Sequence, residues 1–225
     1  MNVFIITVPE RMNHTKCLRD KLSYCECINN VKVLIDFEHN GPWWNTERAI
    51  RQIAESGEAG IVLQDDALID KEMWDHHIKV IESHLSKFGM ISMFTPPQAL
   101  YDKINQDGEY NGTVGDYFMW AVCYMINPLF AKDIIEESKH IDESKAKYHD
   151  EVRVRFAAQR KNWSIAILSK SIASHNLHIK STLGTPAKIG NLVRDTRTLM
   201  TKSDDYSELK LKKHTHKQDW MEFAK

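Results

Sequence analysis

Residues 60–69 read GIVLQDDALI. The apolar run ending at Leu63 is typical of a buried strand, and Asp65 and Asp66 follow it after one residue. Neighbouring carboxylates repel each other, so a pair at the end of a buried strand needs a positive group beside it. The stretch therefore predicts a strand whose carboxyl end carries a charged site.

Similar strands flank this one, with helical segments between them. The predicted strands are NVFIITV (2–8), VKVLIDF (31–37), AGIVLQDD (59–66) and GMISMF (89–94). Helical spacing marks KCLRDKLSY (16–24), ERAIRQIAES (47–56) and DKEMWDHHIKVIESHLSKF (70–88). Helices of about ten residues join parallel neighbours, so we predict an α/β domain with a mixed, mainly parallel sheet. In such sheets ligands bind at the carboxyl ends of strands.

The second half continues the pattern less regularly. Thr46 is expected to cap the helix 47–56, and Asn127, followed by Pro128, to begin another. Further predictions are an irregular excursion or hairpin (98–115), a core strand (117–126), a helix (149–161) and one or two strands (163–175). We expect one domain over residues 1–197 and a basic C-terminal tail or helix over residues 198–225.

Composition excludes some classes of partner. The chain has 225 residues and a formal net charge of −1, so no global field requires nucleic acid or a membrane. Its apolar runs are too short to cross a bilayer, which predicts a cytoplasmic protein. The cysteines lack zinc-site spacing and are expected to be free thiols; they are Cys17, Cys25, Cys27 and Cys123.

A hard divalent cation is one way to hold Asp65 and Asp66 together. Mg²⁺ and Mn²⁺ take one or two protein carboxylates and complete their shells with water and substrate phosphates. A solvated turn or a helix N-terminus accommodates the same pair without any metal.

The order strand, helix, strand, helix, VLQDDALI resembles the DxD region of GT-A glycosyltransferases, most nearly the LEDD form of family 25 and related enzymes. The resemblance implies a GT-A-like, Rossmann-type three-layer domain. It implies that Asp66 binds Mn²⁺ or Mg²⁺ on the diphosphate of a nucleotide-sugar, with Asp65 as its support. Gln64 stands near the ribose, where the family has an acidic residue, and contributes no charge.

A second stretch, SIASHNLHIKSTLG (171–184), looks like the segment that follows the last core strand of such enzymes. There a histidine often supplies another metal ligand, and His175 matches it, with His178 as the nearby competitor. An imidazole ligand favours manganese over magnesium. A surface or core histidine is the alternative.

A third stretch, YHDEVRVRF (148–156), matches the place where inverting GT-A enzymes carry a catalytic base. Asp150 is preferred to Glu151 as the residue that takes the proton of the acceptor hydroxyl. A helix N-terminus would help to keep either one ionised. A helix cap is the alternative.

Basic and aromatic residues complete the predicted site. Candidate contacts to the nucleotide and its diphosphate are Arg11, Lys188, Arg194 and Arg197. Candidate acceptor contacts are Trp43, Trp44 and Trp120. Solvated surface charge and core-covering tryptophans explain the same residues without a ligand.

The sequence thus predicts a metal-dependent transferase that moves a sugar from a UDP-sugar to a hydroxyl, with inversion. Small enzymes of this type in bacteriophages glycosylate hydroxymethylated DNA, which would place this one in the host cytoplasm. Residues 180–225 hold ten Lys or Arg against six Asp or Glu and could follow phosphates to a flipped base. A glycan or lipopolysaccharide is the competing acceptor. Other functions that fit are a non-catalytic α/β binding module and a metal-dependent nucleotidyltransferase or phosphohydrolase.

Overall fold

The fold alternates strands and helices along most of its length. A computed structural model describes residues 1–95, 109–115, 118, 121–146, 150–176, 188–189, 192–193, 199–213, 221 and 224. The strands are β1 (Asn2–Thr7), β2 (Asn30–Ile35), β3 (Gly60–Gln64), β4 (Ala67–Ile69), β5 (Met90–Ser92), β6 (Gly112–Gly115), β7 (Cys123–Ile126), β8 (Ile165–Leu168), β9 (Ala173–His175), β10 (Lys188–Ile189), β11 (Leu192–Val193) and β12 (Leu211–Lys213). The helices are α1 (Met12–Ser23), α2 (Pro42–Ser56), α3 (Lys71–Ser83), α4 (Pro128–Ser138), α5 (Glu143–Ala146) and α6 (Asp150–Lys161).

Eight strands form one mixed sheet in the order β12-β6-β8-β5-β7-β3-β1-β2. Four of the seven ladders between these described strands are parallel, and β1 pairs in parallel with both β2 and β3. The antiparallel ladders join β7 to β3, β7 to β5, and β6 to β8. The predicted mixed, mainly parallel sheet is confirmed.

Helices cover both faces of this sheet, as a three-layer domain requires. Side chains alternate along β1, so Val3 and Ile5 join the core on one face, and Phe4 and Ile6 join the core on the other. Helices α1 and α3 pack on the first face, and α2, α4 and α6 on the second. Within the described ranges, no helix combines the length and the apolar character needed to span a bilayer.

Helix starts depend on local capping. Asn127 caps α4 as predicted, because its side-chain oxygen accepts a hydrogen bond from the backbone N–H of Leu129 at 2.9 Å. The predicted cap at Thr46 is wrong, since α2 begins at Pro42, directly after Gly41, whose φ is 109°. Trp43 and Trp44 consequently lie in the first turn of a helix.

Residues 199–213 (the C-terminal segment), which lie in the stretch predicted as a basic C-terminal tail or helix, contact the main sheet and its core. Strand β12 pairs in parallel with β6 at the edge of the sheet. Met200 and Tyr206 are buried in the core. The ring nitrogens Nε2 of His77 and His84 each lie 2.8 Å from a backbone carbonyl oxygen, of Thr201 and Tyr206 respectively. A carbonyl only accepts, so both nitrogens carry the proton and donate it.

All four cysteines are free, and only Cys17 is exposed. Burial raises the pKa of the Cys25 thiol to about 11 and that of the Cys27 thiol to about 12. Both side chains pack in the core on the face that α1 and α3 cover.

Candidate functional site

The carboxyl ends of β1, β2 and β3 meet at one edge of the sheet. The chain leaves β1 through α1 on one face and leaves β2 through α2 on the opposite face. Since β2 and β3 flank β1 on opposite sides, the strand order reverses here. Open α/β sheets bind ligands in the crevice at such a switch point.

Four buried polar residues form a cluster at this edge, here called the edge cluster: Arg11, Asp65, Asp66 and His175. Asp65 is its structural centre. Nη1 of Arg11 lies 2.6 Å from Oδ1 of Asp65, and the hydroxyl of Thr7 donates to Oδ2 at 2.6 Å. Burial nevertheless raises the pKa of Asp65, because it outweighs the opposing effects of Arg11 and Thr7.

Asp66 meets His175 because a small second sheet joins their segments. Strand β4 pairs with β9 in antiparallel register, which sets Ala67 opposite His175. The backbone N–H of Asn176 donates to the carbonyl oxygen of Asp66 at 2.7 Å. Nε2 of His175 consequently lies 2.9 Å from Oδ2 of Asp66, across 109 residues of sequence.

The positive group required by the two aspartates is a side chain of the protein. Nη1 of Arg11 also lies 3.3 Å from Oδ2 of Asp66, so one guanidinium contacts both carboxylates. The charge of the pair is therefore offset, at least in part, without a divalent ion. Whether a metal fits here therefore depends on the positions of the potential ligand atoms.

Two potential ligand atoms for a divalent ion are already in contact with each other, because Nε2 of His175 and Oδ2 of Asp66 form a hydrogen bond. In the described part of the chain, no group of three or more His, Cys, Asp or Glu side chains could hold a metal. Asp66 Oδ2 and His175 Nε2 are two suitable atoms, and their 2.9 Å separation suits neighbouring ligands of one ion. Mg²⁺ and Mn²⁺ accept such a small protein share when water and phosphates supply the rest.

An open cleft lies between α1 and the β4–β9 pair. Its lining residues are His14, Cys17, Leu18, Lys21, Asp65, Ala67, Leu68, Ile69 and Asn176. Sequence reasoning missed His14 and Lys21. Their spacing with Cys17 and Leu18 follows one helical face and could have revealed them.

Asp150 lies at the start of α6, on the side of the sheet that α2 covers. Its Oδ1 accepts a hydrogen bond from the backbone N–H of Glu151 at 3.0 Å, and its Oδ2 accepts one from the hydroxyl of Thr46 at 3.2 Å. Burial, followed by the charge of Glu151, raises the pKa of Asp150 well above its ordinary value. The helix N-terminus therefore does not outweigh the effects of burial and of Glu151 on the pKa of Asp150.

The aromatic candidates differ in exposure. The ring of Trp43 lies in the core, 4.8 Å from the guanidinium carbon of Arg153, which contradicts the expected acceptor contact. Trp44 is 39% exposed, and the guanidinium carbon of Arg48 lies 4.5 Å from the centre of its ring. Its contact to a ligand stays a prediction.

Other predicted site residues are only partly described. Gln64 ends β3, where it is half-buried, and its backbone N–H donates to the carbonyl of Val122. Lys188 lies in β10, but its side chain is outside the described atoms. The positions outside the described residues are Trp120, His178, Arg194 and Arg197.

Comparisons with known proteins give similarity of low degree. No protein-family model matches this chain, and no curated protein matches it. One similar solved structure is a putative glucose-1-phosphate thymidylyltransferase from Bacillus anthracis in complex with a sucrose, with a TM-score of 0.47 and 8% identity over 78% of this chain and 89% of that chain. Another is A197 from STIV, with a TM-score of 0.43 and 16% identity over 89% of this chain and 96% of that chain. These similarities carry no argument about function.

Proposed function

We propose that the protein is a glycosyltransferase that uses a nucleotide-sugar, of the UDP-linked type, as donor. The contact between Asp66 Oδ2 and His175 Nε2 at 2.9 Å carries this proposal. It joins the two residues for which the resemblance to GT-A enzymes implies metal binding, at the switch point of the sheet. When bound there, Mn²⁺ or Mg²⁺ would neutralise the departing diphosphate.

The side chains around the cleft suit a charged donor. His14 and Lys21, which carry basic nitrogen atoms, line the cleft from α1 together with Asp65. Lys and protonated His bind phosphate oxygens through charge-assisted hydrogen bonds. In this proposal the amide of Gln64 binds a ribose hydroxyl, and Lys188, Arg194 and Arg197 cover the diphosphate.

Asp150 is the proposed base, with Glu151 as its neighbour and substitute. It would accept the proton of the acceptor hydroxyl while that oxygen attacks the anomeric carbon and the diphosphate leaves from the opposite face. A carboxylate is a stronger base when its pKa is raised towards the working pH, as burial raises that of Asp150. Trp44 and Trp120 are the proposed contacts to the acceptor.

Ligand-dependent stability tests the donor and the metal together. UDP-glucose with Mn²⁺, at about 100 times its Kd, should raise the unfolding temperature by about 5–10 °C. Asp66→Asn should remove this increase, because the metal loses its carboxylate ligand. Asp20→Asn is the matched control, since Asp20 pairs with Arg19 on the surface. If no nucleotide-sugar, screened with Mn²⁺, raises the temperature, the proposal fails.

Product analysis tests the reaction and its acceptor. We expect the mass of one hexose or pentose to be added to an acceptor when the matching UDP-sugar is present. Hydroxymethylated DNA is the first acceptor to test, and glycans and lipopolysaccharide are the competitors. Hydrolysis of phosphate esters without sugar transfer would contradict the proposal and indicate a phosphohydrolase. Donor binding with neither reaction would replace it with a binding module.

A further inference from the structure

The edge cluster contains its own counterion, Arg11, which contacts the carboxylate oxygen of Asp66 that is the proposed metal ligand. We infer that Arg11 keeps divalent ions out of the free protein, so that the metal enters only together with a diphosphate. This inference rests on the proposed function, because it concerns how the same site loads.

Arg11 is held in place from both ends. Its backbone N–H donates to the carbonyl of Val8 at 3.1 Å, and its own carbonyl accepts a hydrogen bond from the hydroxyl of Thr15 at 3.1 Å. Its Nη1 then contacts Asp65 at 2.6 Å and Asp66 at 3.3 Å. The side chain is buried, so water screens these charges weakly.

The net charge of the edge cluster determines whether a metal ion can bind there alone. The described ion pairs join one guanidinium to two carboxylates, and these three groups together carry a single negative charge in excess. A divalent ion alone would turn this into a positive excess, with the ion next to the guanidinium on the same oxygen, Oδ2 of Asp66. Like charges at such distances in a buried site repel strongly. A diphosphate supplies the missing negative charge and attracts both the ion and Arg11.

Titration of Mn²⁺ into the unmodified protein gives the first test. Electron paramagnetic resonance of the free ion measures its binding, once with protein alone and once with protein saturated by UDP. The Mn²⁺–UDP complex measured without protein is subtracted. We expect UDP to tighten Mn²⁺ binding at least about tenfold. Equally tight binding with and without UDP would overturn the inference.

Replacement of Arg11 gives the second test. Arg11→Met should bind Mn²⁺ alone at least about tenfold more tightly than the unmodified protein, because the competing charge is gone. Arg11→Lys is the matched control and should behave like the unmodified protein, since both ion pairs use a single nitrogen, Nη1. No gain in Arg11→Met would overturn the inference.

A double variant covers the case in which Arg11→Met does not fold. Arg11→Met with Asp65→Asn removes the cation together with its nearest anion and keeps Asp66 and His175. It should still bind Mn²⁺ at least about tenfold more tightly than the unmodified protein, although it has one carboxylate fewer. Weaker binding would show that carboxylate number decides affinity and would overturn the inference.

The two proposals can fail separately. Tight binding of Mn²⁺ alone to the unmodified protein would overturn the counterion role of Arg11 and leave a transferase possible. Failure of UDP to bind would overturn the nucleotide-sugar function, whereas equal binding of Mn²⁺ with and without bound UDP would overturn only the counterion role.

Discussion

Asp65 and Asp66 are neighbours in sequence, yet they have different surroundings. The chain turns between β3 and β4 at these two residues, so their side chains share Arg11 but otherwise meet different partners. Asp65 is held by Thr7 and Arg11, whereas Asp66 reaches His175. In the proposed function, Asp65 therefore supports the edge of the sheet and Asp66 is the metal ligand.

Sequence reasoning reached the location of this site but missed its charge balance. The apolar run before Asp65 and Asp66 located the pair at a strand end. Arg11 lies 54 residues from Asp65, and the two meet only because β1 and β3 pair in parallel with one particular register. That register depends on which faces are buried in the folded sheet.

The buried carboxyl of Asp150 gives a prediction for the pH dependence of stability. Its folded pKa is raised, so between the ordinary aspartate pKa and the raised value the folded state binds more protons than the unfolded state. The free energy of unfolding therefore falls as pH rises through this window. Asp150→Asn lacks the titrating carboxyl. Its free energy of unfolding should therefore rise relative to that of the unmodified protein as pH rises.

Urea unfolding at about pH 5 and about pH 8 measures this difference. Asp20→Asn, on the surface, is the control whose difference from the unmodified protein should stay nearly constant. Parallel pH profiles for Asp150→Asn and the unmodified protein would contradict the prediction.

The sequence pattern identified helices more accurately than the residues at which they begin. The spacing in ERAIRQIAES identified α2, but its start was placed five residues too late, after Thr46. Gly41 and Pro42 begin the helix instead: the carboxylate of Asp36 accepts hydrogen bonds from the backbone N–H groups of Asn40 and Gly41. Thr46 is buried, and its hydroxyl donates to Asp150, a contact across 104 residues that local sequence cannot reveal.

The cap of α4 gives a prediction at the scale of one element. Asn127→Ala should lower the free energy of unfolding by about 1 kcal/mol, because the N–H of Leu129 loses its acceptor. Asn127→Asp keeps an oxygen at the same place and should retain most of the stability. Urea unfolding compares the variants, and equal losses in both would show that capping is not the cause.

At the scale of the whole molecule, the alternation of strands and helices predicted the sheet but not its edge. Strand β12 is short and rich in lysine, a composition typical of an exposed tail. Its pairing with β6 and the hydrogen bonds from His77 and His84 are contacts between distant parts of the chain. Only the assembled domain creates them.

Two tyrosines test whether the C-terminal segment is part of the core. Tyr206→Ala should lower the free energy of unfolding by about 3 kcal/mol or more, since a large buried ring leaves a cavity. Tyr24→Ala should change it by less than about 0.5 kcal/mol, as is usual for surface positions. Tyr206 is 3% exposed and Tyr24 is 74% exposed. Similar losses for both, measured by urea unfolding, would return the segment to the status of a tail.

The position of β7 between β3 and β5 also matters while the protein is being made. Both neighbours precede β7 in sequence, so they leave the ribosome before the strand that separates them. Until residue 126 has emerged, each has an open edge, and open edges are templates for pairing with other chains. The nascent first half therefore exposes strand edges that the completed sheet covers.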